Sequence, residues 1–140
     1  MKRACILFLL LVLTVAVAAP TGNSAPTAED FQTFWQKFKT AVIKGDKETI
    51  AALSRFPIGM SYGKRSIKTK PELIRRYREV FSEQTNAVKC FARKEPEKDE
   101  SNPKQFSVAC PDAAGNEVVV YKFALTKTGW KFVGLDNLNE

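Results

Sequence analysis

The spacing of apolar residues changes once along this chain, near Asn86, and that switch constrains the fold more than any single motif. Before it, apolar side chains recur at the three-and-four interval of helices, and after it they alternate as in strands. Phe31, Phe34, Trp35, Phe38, Ala41 and Val42 mark the first helix, opened by a capping box at Thr27 and Asp30 and closed by Gly45. Asp46 can cap a shorter second helix carrying Ile50 and Leu53, which Phe56 and Pro57 break. The segment from Ile58 to Ile67 reads as irregular extended chain or a weak hairpin. Thr69, Lys70, Pro71 and Glu72 then start a third helix that buries Leu73, Ile74, Tyr77, Val80 and Phe81. Strands are expected at Asn86 to Lys94, Lys104 to Cys110, Glu117 to Thr126 and Gly129 to Leu138, separated by polar turns. Helices gathered before strands that can pair in sequence predict an α+β packing, with three N-terminal helices on an antiparallel sheet of about four to six strands.

The first eighteen residues have the layout of a secretory signal: Lys2 and Arg3, an apolar run, and small residues ending at Ala18. The run is shorter than the roughly 20 residues of a spanning helix, so cleavage near Ala18 and no stable membrane anchor are expected. Residues 19–26 read as a flexible leader and 27–140 as one domain. Loss of Lys2 and Arg3 lowers the formal net charge from +7 to about +5, and the expected location is periplasmic or secreted.

In an oxidising compartment Cys90 and Cys110 allow one disulfide; the alternative is two buried thiols acting as small hydrophobes. On the expected strands the two would face each other across a hairpin centred on Glu100. Without Cys-x-x-Cys spacing the pair is structural rather than redox-active.

Histidine is absent, which removes the commonest base near neutral pH and the commonest metal ligand. Asp136, with Tyr62, Tyr77 and Tyr121, is the remaining acid-base candidate, although a solvated Asp136 and tyrosines at the edge of the core explain these residues as well. The acidic group Glu95, Glu97, Asp99 and Glu100 lacks the glycine turn of a calcium loop, so neither metal nor cofactor is expected. Seven cations fall between Lys64 and Arg78. Arg75, Arg76 and Arg78 on the third helix either hold an acidic protein partner or form a solvated face supported by Glu72 to Arg76 and Arg75 to Glu79 pairs. No stacking aromatics interleave with them, which disfavours nucleic acid.

The aromatic first helix, the short second helix up to Pro57, the third helix and the closing strands with Trp130, Lys131 and Phe132 resemble the nuclear-transport-factor-two-like superfamily, also called cystatin-like or polyketide-cyclase-like. That resemblance implies a curved sheet wrapped around the first helix as a cone, in proteins that are enzymes, binding modules or dimers. It would make Phe34, Trp35 and Phe38 the wall of a pocket for a small apolar ligand, with Phe56, Met60, Tyr62, Phe81, Phe123 and Trp130 completing it; otherwise the same rings fill the core. The expected function is an exported, non-enzymatic binding module for such a ligand or for a protein, with two copies able to pair through their sheets. An interaction or inhibitor protein using the basic helix is the alternative. A lyase or isomerase is disfavoured by the missing histidine.

Overall fold

The computed structural model describes residues 29–61 and 65–139. The expected signal, the leader, Thr27 and Tyr62 lie outside them. Helix α1, Phe31–Lys44, starts at Asp30, whose carboxylate accepts from the Thr33 amide, and stops at Gly45, where φ is 67°. Only a residue that tolerates the left-handed region closes a helix this way. All six apolar positions of its stripe are buried. Helix α2, Lys47–Ala52, is capped by Asp46.

Of the two readings of Ile58 to Ile67, irregular extended chain or a weak hairpin, the second holds: β1, Ser54–Met60, pairs antiparallel with β2, Ser66–Ile67. Phe56 and Pro57 do not break α2, which has already ended; they lie inside β1. The ladder between β1 and the last strand is irregular between Ser54 and Gly59, so Pro57 sits in the stretch where a missing amide proton does least harm.

Helix α3, Lys70–Arg75, begins at Thr69 as the sequence predicts, and the chain continues into a π-helical turn, Glu79–Glu83, that buries Val80 and Phe81. The strand expected over Asn86 to Lys94 is a helix instead, α4, Ala87–Phe91. Ala87, Cys90 and Phe91 are buried at i, i+3 and i+4, while Val88, expected on the face of Cys90, is 41% exposed. Asn86 caps this helix by accepting from the Lys89 amide.

The remaining strands are β3, Glu97–Lys98; β4, Gln105–Pro111; β5, Glu117–Thr126; and β6, Gly129–Asn137. Six strands stand in the order β2-β1-β6-β5-β4-β3. The sheet is mixed, because β1 runs parallel to β6; the expected meander holds for β4 to β6, while its first strand is replaced by β3, which forms within the stretch read as a polar turn. Irregularities after Cys110 and Lys122 add to the bend that lets the sheet wrap the helices. The core lies between α1 and the concave sheet face.

Asp30, Asp46, Asp99 and Asp112 accept local hydrogen bonds that hold their carboxyls below the ordinary value of 3.8; the largest cause is Thr33 for Asp30, Thr49 for Asp46, Ser101 for Asp99 and Asn116 for Asp112. A depressed folded-state pKa stabilises above the unfolded-state value and ceases to do so as pH falls through the folded one. The melting temperature should therefore decline as pH falls below about 4, and Asp30→Asn with Asp46→Asn should flatten that decline. An unchanged acid limb in the double variant would remove the caps as its cause.

Candidate functional site

The expected pocket residues converge, but on one another. Phe38 meets the rings of Phe34, Phe81, Phe91, Phe123 and Phe132 at centroid distances of 5.1–6.3 Å. Phe123 also packs against Phe31 and Phe34 and edge-on against Trp35, at 5.7–6.1 Å. Such spacings are those of rings in direct contact. Phe34, Trp35, Phe38, Phe81 and Phe123 are all buried, as is Met60 on β1. Phe56 packs partly buried at the margin, and Trp130 closes the rim against Phe31 and Phe106. A ligand inside the cone would have to displace these rings.

The acid-base candidates are dispersed. Asp136 does not enter the cone: it pairs with Lys122 across β6 and β5, which places both on the outer sheet face. Tyr121 is buried and donates to the Val80 carbonyl at 2.7 Å. Tyr77 donates to the Val42 carbonyl at 3.3 Å, and burial pushes its phenol up from the usual 10.0. Among the described residues no carboxylate is buried, and no cluster of residues could hold a metal ion.

The three arginines of the basic helix separate by role. Arg76 is 11% exposed and pairs with Glu72 at 3.2 Å and Glu79 at 2.6 Å, while donating to the Ser66 carbonyl. It locks the β1–β2 hairpin to α3, and the Glu79 hydrogen bond raises its pKa further. Arg75 and Arg78 are exposed, and neither has an ion-pair partner among the described residues, so the expected Arg75 to Glu79 pair gives way to Arg76. Removing one member of a shielded ion network strands the others. Arg76→Ala should cost on the order of 2 kcal/mol in urea unfolding, reduced from the fully buried case by partial exposure. Arg75→Ala should stay within about 0.5 kcal/mol, and equal losses would refute the distinction.

Cys90 and Cys110 form the disulfide, with Cα atoms 5.7 Å apart, but it joins α4 to β4 rather than two strands; Cys110 stands opposite Val119 on β5. Beside it opens a cleft of about 490 Å³, lined by the end of the π turn, by α4 and by Pro111 to Ala113. Thr85 ties its floor by donating to the Pro111 carbonyl at 2.5 Å. No sequence signal marked this site, since five of its twelve lining residues, Asn86, Lys89, Cys90, Arg93 and Lys94, fall in the stretch read as a strand.

No protein-family model matches the sequence, and no curated protein does. Solved structures similar to the chain include the Delta 5-3-ketosteroid isomerase from Mycobacterium sp., at 15% identity over 76% of this chain and 89% of that one, with a TM-score of 0.45. Rv0760c from Mycobacterium tuberculosis, in complex with estradiol-17beta-hemisuccinate, is 15% identical over 76% and 90%, with a TM-score of 0.44. An NTF2-like protein of unknown function from Pseudomonas putida KT2440 is 10% identical over 75% and 80%, with a TM-score of 0.39. These likenesses concern fold alone. Helices packed on an open, curved six-stranded mixed sheet make the architecture α+β.

Proposed function

We propose that this chain is an exported, non-catalytic binding module whose small apolar ligand sits in the cleft beside the disulfide rather than inside the cone. The observation that carries this reading is the contrast between a cone interior occupied by mutually packed rings and an open volume of about 490 Å³ at its end. That volume lies within the range of small-molecule sites. The absence of histidine and of a buried carboxylate among the described residues supports binding over proton transfer. The disulfide supports export, since such bonds persist in oxidising compartments.

The neutral fluorescent probe N-phenyl-1-naphthylamine tests the reading. Saturable enhancement is expected in the wild type and should disappear in Ala113→Trp, which fills the cleft from an exposed turn. No saturable binding, or binding indifferent to Ala113→Trp, would contradict it.

A second reading, an acidic protein partner on α3, is favoured by Arg65, Lys68, Arg75 and Arg78, exposed cations without ion-pair partners among the described residues. Charge reversal at Arg75 and Arg78 should then abolish capture of that partner and leave the melting temperature unchanged. Capture that survives the reversal would leave them as ordinary surface.

A further inference from the structure

We infer that the cleft selects an amphipathic anion, a single apolar chain ending in a carboxylate, with Lys89 and Arg93 as its anionic seat. This rests on the cleft being the binding site. The charged groups lining it are Glu83, Lys89, Arg93, Lys94 and Asp112, and two of them are already engaged. Lys94 pairs with Glu117, and the Asp112 carboxylate accepts from the amides of Ala114 and Asn116 and from the Asn139 side chain. Lys89 and Arg93, four positions apart on and just beyond α4, have no ion-pair partner among the described residues. Against these two cations stands Glu83, also without an ion-pair partner there, so the uncommitted charge of the cleft is positive.

Ser82, Gln84, Thr85 and Asn86 add neutral polar groups to the lining, yet apolar atoms make up most of its exposed surface. Pro111, Ala113 and Cys90 present apolar surface, and the methylene stems of Lys89, Arg93 and Lys94 can extend it. An inorganic anion would leave that surface wet, and a neutral hydrocarbon would leave the two cations unused. Arginine adds a planar fork that matches a carboxylate. A molecule with both parts engages the two cations and the apolar surface together, and the volume suits one chain rather than an extended polymer.

Competition against N-phenyl-1-naphthylamine compares dodecanoate with dodecanol, which differ only in the head group. Dodecanoate should displace the probe at concentrations at least about tenfold lower than dodecanol, a difference of about 1.4 kcal/mol. In Lys89→Glu/Arg93→Glu the ratio of acid to alcohol affinity should fall to one or below, whatever loss of apolar lining the two ligands share; both positions are exposed, and an unaltered melting temperature verifies the fold. Probe binding with equal affinity for acid and alcohol, or a preference that survives the double variant, overturns the anionic seat and leaves the cleft reading intact. Failure of the probe itself to bind overturns both.

Discussion

Truncating Phe123 to alanine is expected to destabilise the fold by about 3–5 kcal/mol in urea unfolding. The ring sits at the centre of the cone, where it touches Phe31, Phe34, Trp35, Phe38 and Phe132, so no neighbour can move into the void without breaking another contact. Cavity cost rises with the volume that stays unfilled, and rigid aromatic surroundings collapse poorly. A loss below about 1 kcal/mol would instead indicate that the ring borders a cavity already open to ligand or water.

The second large effect belongs to the disulfide. Cys90 and Cys110 are 20 positions apart, and closing a loop of that length should contribute about 3 kcal/mol in the chain-entropy account. The Cys90→Ala/Cys110→Ala variant is therefore expected to lose about 3 kcal/mol and to melt roughly 10 °C lower. A five-residue helix has little stability of its own, and α4 is held by this bond and by Ala87 and Phe91. Since α4 supplies one wall of the cleft, probe binding should weaken by more than the change in folded fraction explains. Binding that tracks the folded fraction alone would separate the bond from the site.

Local signals in the sequence resolved wherever one element's own residues decide its fate. The α1 stripe, the Asp46 and Thr69 caps and the alternation of β4 to β6 all appear where their side chains require. Resolution failed where partners are distant. The β1 strand gains its order from parallel pairing with β6, more than 70 positions away, which no local pattern announces. At α4 the pattern was ambiguous: Val88 and Cys90 fit a strand face, whereas Ala87, Cys90 and Phe91 fit a helix face, and burial of Phe91 against Trp35 and Tyr121 decided between them. The cysteine pairing was legible although the register argument for it was not, because proximity survived the change of element. Arg76 could not be told from Arg75 and Arg78 by spacing; its role depends on the Ser66 carbonyl that β2 brings beneath it. The cleft left no trace in the sequence, since α4, the π turn and the β4 to β5 turn meet only in the fold.

The central claim is where the ligand binds, and amide and indole chemical-shift mapping with N-phenyl-1-naphthylamine tests it most directly. The account predicts perturbations gathered on Gln84 to Lys94 and on Asp112 and Ala113, with the Trp35 indole proton, hydrogen-bonded to Glu95, unmoved. Perturbations centred on Trp35, Phe38 and Phe123 would place the ligand among the rings of the cone and contradict it.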